Sequence, residues 1–271
     1  RGVVTKYATT IGTVKAGSNA VRENLITDNA SGVVISGAAS QEIELNRIGV
    51  NAAGDVLGQL GAGVSISNSS GNSIIGNTIA GHADTGILVD EFGGDAIGNL
   101  IRFNSIEHNT GLGIDLAPEP RGVTPNDPGD ADVGANNLQN FPVLTSATQE
   151  GTGTRIVGTV NSTPNTALTI DFYSNAACDP SGFGEGATPI GSAIGIVTDE
   201  QGNAGFSQLV GVAPLAPTTQ VTATAVNVQT SDTSEFSACV EVEQAINVYT
   251  VDSSADGTPD GCEPGACTKS G

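Results

Sequence analysis

The chain has 271 residues, a formal net charge of −20 at neutral pH and 9 Lys and Arg residues in total, which excludes the phosphate backbone of a nucleic acid as an expected partner. Hydrophobic residues make up 38% of the chain, enough for a core, and no apolar run of about 18 residues predicts a membrane span. The 37 Gly residues, with abundant Asn, Thr, Val and Ile, favour short strands and tight turns over helices.

The first half of the chain repeats one pattern, an Asn-x-Ile step followed by Gly and an apolar strand. Successive Asn residues are separated by 22, 31 and 27 positions, and the second repeat carries the extra stretch NAAGDVLGQL. The repeat begins at Asn24, Asn46, Asn77 and Asn104. A repeat of this length predicts a solenoid, in which each unit is one structural turn.

Each repeat contains short alternating apolar runs separated by Asn, Gly, Ser or Asp, which predicts strands rather than helices. A coil built only of strands and turns is a parallel β-helix. We expect Ile and Val to stack inward and Asn side chains to bond their neighbours in a ladder. An antiparallel sandwich is the alternative for this half of the chain.

The stretch NLIRFNSIEHNTGLGIDL, followed by VTPNDPGDADVGANNLQNFPVL, resembles the terminal part of secreted bacterial right-handed parallel β-helix proteins. The insertion NRIGVNAAGDVLGQLGAGVSI also resembles that group. The resemblance implies an all-β fold, with a right-handed parallel β-helix followed by an immunoglobulin-like β-sandwich. It implies an architecture and no defined reaction.

Residues 118–140 form a junction rich in Pro and Asp, which predicts an ordered turn-rich loop or a linker. Asn126, Asp127, Asp130 and Asp132 lie within seven positions, and oxygen ligands at such spacing can surround Ca²⁺. The downstream Glu of an EF-hand loop is missing. A turn capped by Asp side chains is the alternative interpretation.

From Phe141 the pattern changes to seven longer alternating runs separated by turn signals, as expected for an immunoglobulin-like sandwich. The runs are Phe141–Gln149, Arg155–Val160, Ala167–Ser174, Ile190–Thr198, Ala204–Val210, Gln220–Val228 and Glu235–Val242. Cys178 follows the third run and Cys239 lies in the last. We expect a disulfide between them that staples the intervening loop to the sheet.

The tail, residues 244–271, begins with AINVYTV, a possible strand that pairs within the chain or with another subunit. Beyond it, Asp252, Asp256 and Asp260 are spaced by four and resemble a degenerate acidic calcium repeat. A disordered spacer is the alternative. Cys262 and Cys267 form a close pair that fits a second disulfide, and the even Cys count predicts an oxidising compartment.

The repeat region contains two His residues and several carboxylates that could belong to a β-helix enzyme. Neither His82 nor His108 has the flanking residues of a galacturonan hydrolase, and both are interpreted as exposed turn residues. Carboxylates around one coil are the best acid–base candidates, in a groove that Arg102 would also line, and the alternative is a set of acidic residues in a loop beside Gly93 and Gly94. These carboxylates are Asp84, Asp90, Glu91 and Asp95.

Three sequons, at Asn29, Asn68 and Asn161, are candidates for glycosylation on an extracellular surface. The scarcity of aromatic residues, with no Trp, weakens a sugar-binding platform, although surface glycans stay possible partners. Because Met is absent even from position 1, we expect a processed chain or a fragment.

The favoured hypothesis is a non-enzymatic extracellular structural protein, bacterial in style. It would be a subunit of a filament, fibre or adhesin that self-associates head-to-tail through β-strand contacts. The expected domains are residues 1–117, 118–140, 141–243 and 244–271, with Ca²⁺ as the one expected cofactor. The alternative is a polysaccharide lyase or hydrolase carried on the β-helix.

Overall fold

A computed structural model describes residues 3–4, 19–117, 121–211 and 213–245. The first half is a parallel β-helix of four successive three-strand coils, which confirms the predicted solenoid. The first coil comprises β2 (Ala20–Arg22), β3 (Leu25–Ile26) and β4 (Val33–Ser36). A preceding strand, β1 (Val3–Val4), pairs in parallel with β3.

The next three coils repeat this arrangement, and equivalent strands pair in parallel in the same register. Their strands are β5 (Glu42–Glu44), β6 (Arg47–Ile48), β7 (Val64–Ser67), β8 (Ser73–Ile75), β9 (Thr78–Ala80), β10 (Ile87–Asp90), β11 (Leu100–Arg102), β12 (Ser105–Glu107) and β13 (Ile114–Leu116). Inward-facing aliphatic side chains stack from coil to coil, as Ile48, Ile79 and Ile106 do, and are fully buried. This stacking supplies the main burial energy of the solenoid.

Asparagine side chains at one corner of the coils form the expected ladder. The Nδ2 of Asn24 donates to Oδ1 of Asn46 at 3.1 Å, and the same bond joins Asn46 to Asn77 and Asn77 to Asn104 at 2.9 Å. Each Oδ1 also accepts the backbone N–H of the preceding Asn. The ladder therefore satisfies backbone groups that the turn would otherwise leave buried and unpaired.

A second ladder runs along another corner and continues beyond the repeat. It passes from Gln41 to Asn72 and Asn99 through side-chain oxygens that accept backbone N–H groups. Its final member is Asn136, whose Oδ1 accepts the N–H of Asn99 at 2.9 Å. Asn136 belongs to a short 3-10 turn, Ala135–Leu138, and has a left-handed φ of 47°. The junction thus supplies a ladder position that no fifth coil provides.

Residues 143–243, here called the second unit, form a seven-stranded, mostly antiparallel sheet that encloses its own core. The strand order is β17-β16-β19-β20-β14-β15-β18, and Phe172 and Phe206 pack across the interior with ring centroids 5.8 Å apart. The strands are β14 (Val143–Glu150), β15 (Gly153–Asn161), β16 (Ala167–Asn175), β17 (Thr188–Val197), β18 (Asn203–Val210), β19 (Gln220–Asn227) and β20 (Val240–Glu243).

The predicted seventh run, Glu235–Val242, was wrong at its start, because β20 begins only at Val240. Residues 232–239 instead bond to the last coil, to β19 and to the loop before β17. The expected disulfide between Cys178 and Cys239 is confirmed and fastens this segment to that loop.

The end of the β-helix at β11, β12 and β13 is covered by what we call the cap. The cap consists of Asn136 and of two segments of the second unit, 183–187 and 232–237. Its groups accept the N–H bonds that a further coil would accept: Thr233 Oγ1 from Ile101, the Gly186 carbonyl from Ile106, Glu185 from Asn109 and Glu235 from Leu116. The cap therefore imitates a coil with residues that are not a repeat.

Two aromatic rings of the second unit close the hydrophobic interior of the last coil. Tyr173 and Phe236 pack edge-to-face at 5.1 Å and belong to the same buried cluster as the stacked Ile and Val side chains. Close approach of the ring requires glycine at two positions, since a Cβ at Gly113 or Gly186 would lie 2.8 or 2.5 Å from atoms of Phe236. The described residues contain no apolar helix of membrane-spanning length.

Candidate functional site

Three junction carboxylates come together as the sequence spacing suggested. One oxygen from each of Asp127, Asp130 and Asp132 lies within 4.8 Å of the other two, and all three residues are half-buried. The loop that carries them is held against the second unit: Asn161 Oδ1 accepts the N–H of Gly129, and Asn140 Nδ2 donates to the Asp127 carbonyl. The three like charges are thus fixed close together by surrounding structure.

The three carboxylates differ in how many hydrogen-bond donors they receive. Asp130 accepts bonds from the N–H of Asn140 at 2.7 Å, from Ser162 Oγ at 2.7 Å and from Gln139 Nε2 at 2.8 Å. One oxygen of Asp132 is inaccessible to solvent and has no hydrogen-bond donor. An acceptor in that state is expected to attract a water molecule or a cation.

Burial raises the pKa of the Asp130 carboxyl group, and the charges of Asp132 and Asp127 raise it further against the opposing hydrogen bonds from Ser162 and Asn140. Burial also raises the pKa of Asp132, followed by the charge of Asp127. Both shifts mean that negative charge is held at an unfavourable density here. An open groove of about 740 Å³ beside the cluster is lined by Asp127, Asn161, Asp199 and neighbouring residues of β14, β15 and β18.

The interpretation of His82 as an exposed turn residue was wrong, because its side chain is only 1% exposed. The imidazole occupies a slot that glycine creates: a Cβ at Gly49 or Gly63 would lie 2.9 or 2.8 Å from His82 Nε2. Burial lowers the pKa of His82 to about 4. His82 is therefore a neutral interior group, whereas His108 is exposed beside Glu107.

The predicted catalytic group does not assemble around one site. Arg102 makes a two-point ion pair with Asp171 of the second unit, at 2.6 and 2.7 Å, and Asp84 pairs with Arg121 of the junction at 3.0 Å. Glu91 has a pKa raised by burial and by the charges of Asp95 and Asp90, so these three lie near one another, at the end of β10 and on the loop that follows it. Arg102 is therefore engaged at an interface rather than beside the loop carboxylates.

The sequence did not predict two buried carboxylates of the cap. Glu185 is 7% exposed and Glu235 is 2% exposed, and both belong to the cap. Burial is the largest effect on each and raises the pKa of each to about 7, despite hydrogen bonds from Asn109 to Glu185 and from Leu116 and Thr124 to Glu235 that act in the opposite direction. The one sequence signal for them is an acidic residue in an apolar and small-residue setting, as in SEFSAC.

The sequon residues lie in different surroundings. The Asn29 side chain is buried, and Asn161 donates its amide to Asn203 and to the Gln201 carbonyl. Asn68 is half-buried in a left-handed turn. Glycosylation at the three positions stays a prediction. Asp252, Asp256, Asp260, Cys262, Cys267 and all but the first residue of the AINVYTV stretch lie outside the described residues.

Comparisons with known proteins give one family. The profile of the family described as "Periplasmic copper-binding protein (NosD)" matches residues 2–140, just over half of the chain. No curated protein matches. Among solved structures, the enzymatically active domain of tailspike protein 2 from bacteriophage CBA120 aligns over 83% of this chain at 11% identity with a TM-score of 0.24. This chain spans 50% of the length of that tailspike domain.

Proposed function

We propose a non-enzymatic structural role for this chain, which belongs to the NosD family of periplasmic β-helix proteins. In this role the chain is a rod that self-associates into a filament. The disulfide between Cys178 and Cys239 and the periplasmic description of the family both point to a periplasmic or extracellular location. Adhesion to surface glycans is a further role that such a filament would serve.

The observation that supports this proposal is the difference between the two ends of the rod. The cap covers the last coil, whereas within residues 19–117, 121–211 and 213–245 no strand pairs with the outer edges of β2 and β4. Unpaired strand edges are templates for pairing with another chain. Strand β1 already pairs with the outer edge of β3, so among the described residues the edges of β2 and β4 are the ones that we propose receive a partner.

The complementary surface is edge strand β17 of the second unit. Its side chains Ile194 and Val197 are 78% and 60% exposed, although they are large and apolar. Contact between the first coil of one copy and β17 of the next joins two different surfaces, so it generates an open head-to-tail fibre rather than a closed dimer.

Electron microscopy and analytical ultracentrifugation of the secreted protein test this proposal. We expect filaments for the unmodified chain and shorter or no filaments for Ile194→Lys, because a charge would then be buried at the contact. Phe92→Lys is the matched control, since Phe92 is equally exposed but lies on a loop of the β-helix. A chain that stays monomeric at high concentration would rule the filament out.

We further propose that Asp127, Asp130 and Asp132 bind Ca²⁺ and thereby stabilise the junction. Support comes from the 4.8 Å grouping of their oxygens and from the buried Asp132 oxygen without a donor. Carboxylate oxygens are the ligands that Ca²⁺ prefers. The acidic repeat at Asp252, Asp256 and Asp260 is proposed as a second, separate Ca²⁺-binding segment on sequence grounds alone.

The calcium proposal for the junction is tested by titration calorimetry and thermal unfolding with Ca²⁺ or with chelator. We expect Ca²⁺ to raise the unfolding temperature, and Asp132→Asn to reduce that increase because one charged ligand is lost. Asp95→Asn, an exposed carboxylate elsewhere, should behave like the unmodified chain. Equal responses of the two variants to Ca²⁺ would place the ion elsewhere or nowhere.

Copper does not fit the described residues. Copper sites use His, Cys and Met ligands, and the chain has no Met and only two His. The His82 ring is enclosed between Gly49 and Gly63, His108 contacts Glu107 without a second histidine, and Cys178 and Cys239 are oxidised. Among the described residues, the one grouping of possible ligands is the three aspartates, which are hard oxygen donors.

The finer architecture is also proposed. The second unit is proposed to be an immunoglobulin-like sandwich spanning residues 141–243, after a right-handed β-helix over 1–117 and a junction over 118–140. Residues 244–271 would be a separate tail. The seven strands and the enclosed core of the second unit support its assignment as a sandwich. A crystal structure with a different sheet order would refute this assignment. The enzyme alternative gains no support, since Arg102 is bound to Asp171.

A further inference from the structure

The cap contains two ionisable groups at positions where the coils use neutral amides. Asn109 Oδ1 accepts the N–H of His82 at 3.0 Å, and in the next step Glu185 accepts the N–H of Asn109 at 3.2 Å and its Nδ2 at 2.6 Å. Glu185 therefore takes the place that an Asn side chain takes one coil earlier. Gln41 shows that a longer amide also fits a ladder position.

Glu235 plays the same part at another corner of the last coil. Its carboxyl group accepts the N–H of Leu116 at 3.0 Å, at the end of β13, and the N–H of Thr124 at 2.9 Å, in the junction. Leu116 donates to Oε1 and Thr124 to Oε2, so an amide, with its single oxygen, would accept one of the two N–H groups. A carboxyl group adds one property that an amide lacks, namely the capacity to gain and lose a proton.

The charged surroundings of both groups are acidic. Asp179 of the disulfide loop faces Glu185, with Glu107 and His108 of the last coil lining the same cleft. Asp115 of β13 faces Glu235. Among the described residues, no salt bridge includes Glu185 or Glu235. Each carboxylate, when ionised, is therefore buried without a cation in direct contact and beside another negative charge.

We propose that Glu185 and Glu235 form a proton-operated latch, which holds the cap on the last coil when the two groups are protonated and loosens it when both are ionised. A protonated carboxyl group keeps one oxygen as an acceptor for the coil N–H and avoids the cost of burying a charge. When the cap lifts, the ionised groups regain water. The disulfide joins Cys178, shortly before segment 183–187, to Cys239, shortly after segment 232–237, so the two cap segments lift as one body.

The direction of the pH effect follows from the pKa values. The pKa of each group is about 7 in the docked state, against an ordinary value of 4.5 in the open state. Between pH 4.5 and 7 the docked state therefore binds more protons, and docking weakens as the pH rises through that window. Below pH 4.5 both states are protonated and docking no longer changes.

Hydrogen–deuterium exchange of the full chain at pH 5 and pH 8, corrected for the intrinsic exchange rate, tests the latch. The reporters are the N–H groups of Asn109 and Leu116, and the N–H of Asn77 in the interior ladder is the internal reference. We expect protection at the two reporters to fall at least about tenfold from pH 5 to pH 8, since each pKa unit is a factor of ten. Asn77 should change little.

The double variant Glu185→Gln and Glu235→Gln should keep one acceptor oxygen for each reporter N–H, that of Asn109 and that of Leu116, and lose the pH dependence. Glu200→Gln, an exposed turn residue, is the matched control and should behave as the unmodified chain does. Protection that does not change with pH in the unmodified chain, or that changes equally in the double variant, would overturn the latch.

A second measurement decides the matter if the double variant does not fold. Carbon-13 labelling of the Glu side chains in the unmodified chain allows both carboxyl groups to be titrated by NMR. Titration near pH 7 supports the latch, and titration of both groups below pH 5 overturns it.

Discussion

The contact between two coils and the contact between the last coil and the cap solve the same problem with different chemistry. Between coils, identical Asn positions accept identical N–H groups, and Ile stacks on Ile. At the cap, the equivalent N–H groups meet an amide, a hydroxyl, a carbonyl and two carboxyl groups from separate segments. Extending the rod requires one repeated rule, whereas ending it requires a different residue at every corner.

The largest expected effect comes from the aromatic closure of the cap. Phe236→Ala would open a cavity against Gly113 and Gly186 and remove the ring contact with Tyr173, so we expect a loss of roughly 3–5 kcal/mol in the free energy of unfolding. Urea unfolding measures this loss. Phe92→Ala, at an exposed ring, should change stability by no more than about 0.5 kcal/mol. Similar losses for both variants would mean that the cap ring has no special role.

A smaller effect is expected at the ion pair that locks the second unit to the last coil. Asp171 is fully buried, so Asp171→Asn leaves the Arg102 charge without its partner and should cost about 3 kcal/mol. The exposed pair of Glu150 and Arg155 is the matched comparison, and Glu150→Gln should leave the urea midpoint unchanged. If Asp171→Asn were harmless, packing alone would hold the two units together.

The smallest expected effect distinguishes an interior ladder position from the cap position. Asn77→Ala removes the oxygen that accepts two hydrogen bonds from Asn46 and the Nδ2 that donates to Asn104 and to the Ile43 carbonyl. We expect the free energy of unfolding to fall by about 2 kcal/mol. Asn136→Ala removes fewer bonds, to Asn99 and Thr233, and should cost about 1 kcal/mol. The reversed order in urea unfolding would show that ending the ladder matters more than continuing it.

The repeated part of the fold could be predicted because its signals are local. The Asn spacings of 22, 31 and 27 fix which side chains meet, since equivalent positions stack regardless of the insertion between β6 and β7. The grouping of Asp127, Asp130 and Asp132 was also suggested by spacing within one loop. Short separations limit the possible geometries, so sequence patterns suffice.

The cap and the burial of His82 could not be predicted in this way. The partner of Gly98 is Asp232, 134 residues later, and no local pattern marks either residue as a member of the pair. His82 looked like a turn residue because its neighbours are Gly, Ala and Asp. Its ring turns inward only because Gly49 and Gly63, one coil earlier, leave the space. Both features depend on contacts between positions that a linear pattern does not connect.

The long separation between the last coil and its cap also sets an order of events during folding. The N–H of Leu116 donates to Glu235, which lies 119 residues further along the chain, so this native hydrogen bond can form only after Glu235 has been synthesised. A chain that emerges from a membrane channel with its N-terminus first would complete three coils while the fourth stayed open to the surrounding water. Contacts of such high sequence separation are slow to form, so the docking of the second unit is expected to be the late step that finishes the rod.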